Sequence, residues 1–330
     1  MAAATPERPE DGPSADGRAP ARVLLLHNRY RAVGGEERVV DQLARLLAAR
    51  GHAVARLERD SAAAGPARAA AGLLRGGLAP DAVARAVRAH RADVVHAHNV
   101  HPLLGWRALA AARAAGARTV LHLHNYRLVC AIGVAYRDGA PCRRCQGRDT
   151  RPGVRLRCRG TLPEAVAYGI GLARQQPRLL AAADAVALVS EGQRALLAAL
   201  GCPLPDALVL PNAAERIAAA SAAAEGRYAL VAGRLVPEKG FDVAVVAARA
   251  AGVPLVVAGT GPDEGRLRAL AAAGGDVRFL GQLPPEELAQ VRRGAAVLLA
   301  PSRSDDACPM SVVEALADGV PVLGSDRGGI

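Results

Sequence analysis

Short β-branched or leucine runs alternate with longer Ala/Leu/Arg stretches of helical period, and the alternation passes along the chain twice. The first pass has strand-like runs at residues 22–27, 53–57, 93–97, 119–123, 185–189 and 207–210, with a loop at 28–35 and a helix at 36–50. The second has runs at 228–232, 254–258, 277–280, 296–300 and 320–323. Apolar strands separated by helices predict parallel, doubly wound α/β sheets, because crossover helices cover both faces of such a sheet. Two Rossmann-like domains in tandem follow, facing a cleft onto which the loops at the carboxyl ends of the strands open. Their bounds are read as 21–212 and 227–330, joined by an Ala/Ser/Glu stretch at 213–226 that reads as a linker or connecting helix.

Residues 1–20 hold no apolar stretch and read as a disordered tail, not a signal peptide. At 330 residues the chain has length for two cores, and 2% aromatic content leaves these to Ala, Val and Leu. No segment has the unbroken apolar length of a membrane span, so a cytoplasmic protein is expected. Net charge is +11, and it is uneven. Residues 126–160 hold nine arginines against Asp138 and Asp149. That patch suits an acidic partner such as anionic lipid headgroups, a phosphorylated acceptor or nucleic acid; it also suits a solvated loop.

Among 42 basic residues there is one lysine, Lys239, in Gly233-Arg234-Leu235-Val236-Pro237-Glu238-Lys239-Gly240. A chain that otherwise uses arginine retains the compact ammonium where a point charge is wanted, and Arg234 and Lys239 are spaced to flank a diphosphate. Gly261, in the turn after 254–258, permits close approach of a ligand, and Leu280 lies in a stretch placed for backbone contacts to a base. Asp306 sits in the loop after 296–300, and Glu314 follows with seven residues intervening. A helix begins near Met310, so Pro309-Met310-Ser311 lie at an anion-binding end, with the amides of Met310, Ser311 and their neighbours as donors. Taken singly, Asp306 is a loop acid and Glu314 an ordinary helical glutamate; together they can accept hydrogen bonds from two hydroxyl-bearing groups.

These motifs resemble the retaining nucleotide-sugar glycosyltransferases of family 4, which have the GT-B fold. The family's acid, seven residues, acid pattern ending in Glu-Ala-(Leu/Met)-Ala-x-Gly-x-Pro-Val matches Asp306 to Val322. Its Gly-Arg…Lys-Gly motif matches Gly233 to Gly240, and Leu210-Pro211-Asn212 resembles the end of its first domain. The resemblance implies a nucleotide-sugar co-substrate and no catalytic metal. Arg234 and Lys239 would hold the donor diphosphate and stabilise the leaving group. Glu314 would bind the ribose, and Asp306 with the amides of Cys308 to Ser311 would position the donor sugar. The family has glutamate at the place of Asp306, one methylene longer. It also implies that the second domain is incomplete, since family members continue for some tens of residues.

In the first half, Gly34-Gly35-Glu36 lies where a phosphate or acceptor can approach the backbone. The resemblance gives His124 a contact with the donor sugar, whereas His122 reads as a packed neighbour. His96, His98 and His101 read as lining the cleft or a loop surface. Cys130, Cys142, Cys145 and Cys158, with 11, 2 and 12 residues intervening, can supply four thiolates to a structural zinc. A redox pair or unrelated free thiols are the alternatives, and a disulfide is disfavoured in a cytoplasmic enzyme. A subset of family 4 proteins looks similar here, with His-Asn-Tyr-Arg followed by a cysteine-bearing insertion.

The expected activity is transfer of a sugar from a nucleotide diphosphate to a hydroxyl. By the resemblance the acceptor is a polysaccharide or glycolipid intermediate, and the basic patch lies at the inner face of an anionic membrane. The alternatives are a non-catalytic fragment or a nucleic-acid-binding module built on the Arg-rich cysteine loop. Nucleic acid is not the expected partner, because the loop offers only Tyr126 and Tyr136 for stacking on bases. An inverting transferase and a nucleotide-sugar epimerase are the enzymatic rivals. The first turn lacks the Gly-x-Gly-x-x-Gly fingerprint that a dinucleotide-dependent epimerase wants.

Overall fold

The computed structural model describes residues 19–30 and 34–330, so the expected tail lies outside the described residues as far as residue 18. The chain opens with β1 (Arg22–Arg29), α1 (Gly35–Ala49), β2 (Ala53–Asp60), α2 (Pro66–Arg75), α3 (Pro80–His90), β3 (Val94–Ala97), α4 (Gly105–Ala114) and β4 (Arg118–Leu123). Then come β5 (Tyr136–Arg137), β6 (Ala140–Pro141), α5 (Arg151–Arg155), α6 (Leu162–Ala182), β7 (Ala185–Leu188), α7 (Glu191–Ala199) and β8 (Leu208–Val209). The rest is β9 (Ala229–Ala232), α8 (Phe241–Ala251), β10 (Leu255–Ala258), α9 (Glu264–Ala271), β11 (Val277–Gly281), α10 (Pro285–Arg293), β12 (Val297–Ala300), α11 (Met310–Ala317) and β13 (Val322–Gly324). No helix among the described residues is long and apolar enough to cross a membrane.

Among the described residues two compact units result, one running up to Leu123 together with Arg159–Ala187, the other His124–Cys158 with Leu188–Ile330. Each has the doubly wound parallel sheet expected of it. The segment His124–Cys158, expected within 21–212, groups with the second unit. Residues 213–226 form no connecting helix beyond the single turn Ala223–Glu225.

The first unit's strands run in the order β2-β1-β3-β4-β7. The pairs β1–β2, β1–β3 and β3–β4 are parallel. Val23, Leu24, Leu25 and Leu26 are all buried, as a central parallel strand covered on both faces requires. Val23 and Leu25 pack on Val40 and Ala44 of α1. The chain winds away from β1 in opposite directions, so the loops after β1 and β3 part at the carboxyl ends of their strands.

Glu37, in the first turn of α1, fastens the first of those loops. Its carboxylate accepts the amides of Tyr30 at 2.9 Å and Gly34 at 2.8 Å. The Nε2 of His27, itself buried, lies 3.7 Å from the same carboxylate. Burial alone would raise the pKa of Glu37, but the nearby His27 imidazole and hydrogen bonds from backbone amides, those of Tyr30 and Gly34 among them, outweigh it and hold the group at about 2.

The second unit runs β11-β10-β9-β12-β13, with β10–β11, β9–β10, β9–β12 and β12–β13 all parallel. Successive residues of β9 face opposite sides. Ala229 and Val231 join Phe241, Val245 and Leu267 on one side, whereas Leu230 joins Leu298, Val312 and Ala315 on the other. The segment His124–Cys158 adds an antiparallel pair, β5 with β6, and the short α5. The pattern along the chain did not indicate these elements.

The environment of Glu37 carries a pH dependence for the first unit. Its folded pKa of about 2 lies below the ordinary 4.5. The stabilisation is therefore complete above pH 4.5 and is lost as pH falls from there towards 2. Glu37→Gln is expected to cost about 3 kcal/mol at pH 7, with the difference from the parent shrinking as pH falls through this window. Trp106, the one tryptophan, lies on α4 in the same unit and reports its urea unfolding. An equal penalty at pH 7 and pH 3 would show that the carboxylate charge is not the source.

Candidate active site

The sheet of the second unit grows outward in opposite directions from the neighbours β9 and β12. Loops leaving their carboxyl ends must diverge, which is where a doubly wound sheet opens a ligand crevice. Lys239 arrives on the loop after β9 and Asp306 on the loop after β12. The Nζ of Lys239 donates to both carboxylate oxygens of Asp306 at 2.9 Å. The Ser302 hydroxyl also donates to Asp306. With 21% and 19% of their side chains exposed, the two ions are reachable by a ligand yet shielded enough to attract more strongly than a surface pair.

Backbone contacts hold the two loops together. The amide of Arg303 donates to the Glu238 carbonyl at 2.8 Å. Gly240 has φ +67, and a Cβ there would stand 2.0 Å from the Pro301 carbonyl oxygen, so only glycine fits. The Arg303 guanidinium grips Asp242 of α8 through bonds of 2.6 and 2.8 Å, and this, against burial, holds Asp242 at about 2. Ser190 donates to the Ala307 carbonyl, and Asn212 to that of Cys308 at 2.9 Å. Tyr126 is buried beside the same loop; burial, with Asp305 and Asp306 nearby, pushes its phenol pKa up.

The other residues singled out from the sequence fall around this centre or apart from it. Arg234 is exposed on the loop after β9 and pairs with no described acid. Gly261 packs on the same loop, where a Cβ would lie 2.2 Å from the Leu235 carbonyl oxygen. Leu280 is exposed near the end of β11. Pro309 is the N-cap of α11, whose start no side chain caps; Met310 is buried and Ser311 half-buried. Glu314, on α11, accepts a 2.7 Å bond from Arg292, which also donates to Asp318 at 2.6 Å. His124 is half-buried, two residues before Tyr126.

In the first unit Gly34 gives its amide to Glu37, and Gly35 begins α1. His96, His98 and His101 are buried, not exposed on a loop surface, and so is His122. Burial lowers the pKa of His96 to about 4.

Cys130, Cys142, Cys145 and Cys158 line one pocket in the second unit and form no disulfide. Burial raises the Cys145 thiol to about 11 against the opposing bond from the Gly153 amide, with the other three cysteines adding to the rise. A protonated thiol is a poor nucleophile, which weighs against a reactive redox pair. Among the described residues, however, the metal-ligand atoms grouped within 4.8 Å of one another are those of His96, His98 and His122, not the thiols. Tyr126 and Tyr136 are buried and present no face for stacking bases.

Ser302, Arg292 and Asp242 were not anticipated from the sequence, and Tyr126 was weighed there only as a ring for stacking on bases. Ser302 stood in view, four residues before Asp306, as a hydroxyl able to reach back to it. Nothing distinguished Arg292 from the other arginines.

Residues 34–213 match the family described as glycosyl transferase 4-like domain, and residues 214–330 match glycosyl transferases group 1. The phosphatidyl-myo-inositol mannosyltransferase of Mycolicibacterium smegmatis is 35% identical over 134 residues, 37% of this chain and 34% of that protein. An exopolysaccharide phosphotransferase of Streptomyces coelicolor is 31% identical over 162 residues, 46% of this chain and 17% of that protein. The chain thus spans well under half the length of the curated relatives it matches. In structure it is similar to sucrose-phosphate synthase from Thermosynechococcus elongatus, with a TM-score of 0.61 at 18% identity over 93% of this chain and 82% of that one. The Anabaena protein HepE, solved with UDP-glucose, gives 0.53 at 16% identity over 93% and 81%. These likenesses show the fold, and the first family match extends over more than half of the sequence. The chain belongs to the glycosyltransferases, as a member of the glycosyl transferase 4-like domain family.

Proposed function

We propose that this glycosyltransferase moves a hexosyl group from a nucleoside diphosphate sugar to a hydroxyl of a glycan or lipid-linked acceptor, with retention at the anomeric carbon. The observation that carries the reading is the Lys239–Asp306 pair at the parting of β9 and β12. An ammonium fixed to Asp306, on the loop that leads into an uncapped helix start, is an electrostatic seat for a diphosphate. Lys239 and the exposed Arg234 stabilise the charge that develops on the leaving diphosphate, a task that needs no metal. Asp306, with the amides at the start of α11, orients the donor sugar. Glu314, held by Arg292, accepts hydrogen bonds from the ribose, and His124 contacts the donor sugar.

On this reading residues 227–330 hold the donor nucleotide, and residues 21–212 serve the acceptor. HepE solved with UDP-glucose and the mannosyltransferase of M. smegmatis support a nucleotide-sugar donor and a lipid-linked acceptor. The arginines of residues 126–160 rest on an anionic membrane surface. The four cysteines hold a structural zinc that fixes this polar segment. Their shared pocket and all-thiol donor set fit that ion.

Two tests follow. Nucleoside diphosphate release over a panel of donors is expected to fall about 10²–10³-fold in Lys239→Ala, the loss of one preorganised donor to a developing anion. Lys239→Arg is not expected to restore it, because the guanidinium fork has a different geometry. Unchanged turnover in Lys239→Ala would reject the site, and inversion in the product would reject retention. Elemental analysis is expected to show zinc that falls by one equivalent in Cys142→Ser. Parent protein with four titratable thiols in this segment and no zinc would reject the metal.

A further inference from the structure

The first unit gathers buried imidazoles that the transfer reaction does not use. His96 and His98 alternate along and just beyond β3, so their side chains leave the same face of the sheet. The β3–β4 register pairs Ala97 with Leu121, and the next rung sets His98 beside His122. The three side chains are buried, at 9%, 2% and 4% exposure. The three rings form a near-equilateral triangle, with centroids 4.6 Å apart for His96 and His98, 5.3 Å for His96 and His122, and 5.5 Å for His98 and His122. The Nε2 of His96 faces the Nδ1 of His122 at 3.2 Å. One ring nitrogen from each histidine lies within 4.8 Å of the others.

Buried polar rings are costly to desolvate, and a neutral imidazole carries an in-plane lone pair on its unprotonated nitrogen. The three rings meet one another by stacking and by the His96–His122 nitrogen contact, and the same convergence brings one nitrogen of each within reach of a shared cation. We propose that His96, His98 and His122 form a binding site for a divalent late first-row transition cation of the zinc, nickel and copper class. An all-imidazole donor set selects this class, whereas magnesium and calcium require oxygen ligands that these residues do not supply. All three ligands stand on or directly beside strands whose register is set by the sheet, so little ordering remains for binding to accomplish. The ring of His27 lies 6.5 Å from that of His98 and links the site to Glu37, a negative charge that offsets the ion's. The ion ties the carboxyl ends of β3 and β4 together. This site does not depend on the donor reading or on the cysteine pocket.

Full-length protein, stripped with chelator, is titrated with Co²⁺ in the parent and in a Cys142→Ser/Cys145→Ser form. A single Co²⁺ is expected to remain in the cysteine variant, with visible ligand-field bands and no thiolate-to-metal charge-transfer band. His98→Asn and His122→Asn, in that background, are expected to weaken it by about tenfold or more. Ni²⁺ or Zn²⁺ is expected to raise the Tm of the cysteine variant, and Mg²⁺ to leave it unchanged. No cobalt retained by the folded cysteine variant, or an affinity untouched by both histidine substitutions, would overturn the site. Should the histidine variants fail to fold, the stoichiometry and spectrum of the cysteine variant decide the matter alone.

Discussion

The bond from Lys239 to Asp306 is the constraint on which the second unit's site depends. Lys239 ends a single 3-10 turn and Asp306 lies on a loop, and such short connections left to themselves lose little by moving. The charged pair joins the two loops where the sheet's winding forces them apart. Ser302 fixes the carboxylate from its own loop, and the Gly240–Pro301 approach removes the remaining slack. Ser190 and Asn212 hold the carbonyls just before α11, so the helix start is aimed from outside the helix. The chemistry assigned to the site therefore rests on a framework that exists before a ligand arrives.

Much of this architecture was legible along the chain, for reasons that also mark the limit. A parallel strand covered on both faces reads as an unbroken apolar run, so β1, β9 and β10 announce themselves. The spacing of Asp306 and Glu314 survives as a local pattern because loop and helix start are contiguous. Partnerships across long separations leave no such trace. Lys239 and Asp306 stand 67 residues apart, and Arg292 reaches Glu314 from 22 residues away as one arginine among many. The histidines were visible one by one, but only the β3–β4 register shows that His122, read as a packed neighbour, belongs with His96 and His98. The two-residue strands of the cysteine segment are too short for periodicity to register.

The two sheets use the same opening differently. In the first unit the carboxyl ends of β1, β3 and β4 carry buried imidazoles and one carboxylate whose charge local amides satisfy. In the second unit the corresponding ends carry ions that are only partly covered. Burying a charge is tolerable when fixed donors surround it, and Glu37 meets that condition. A partly exposed ion pair keeps room for a charged newcomer. The first arrangement suits holding a shape, and the second suits exchanging a ligand.

The single lysine gains its meaning from this contrast. Where the chain needs an acid held for good, it places arginine, whose planar fork lies against carboxylates in a fixed geometry. Arg292 does this between Glu314 and Asp318, and Arg303 does it on Asp242. At position 239 such a fork would spend its directed donors on Asp306 and present an edge elsewhere. An ammonium has three protons disposed around one atom. Two reach the oxygens of Asp306, and the third leaves a compact positive charge directed away from the pair. A group that must be anchored by a carboxylate and still face an incoming phosphate oxygen needs that geometry, which explains why arginine did not take this position as it took the others.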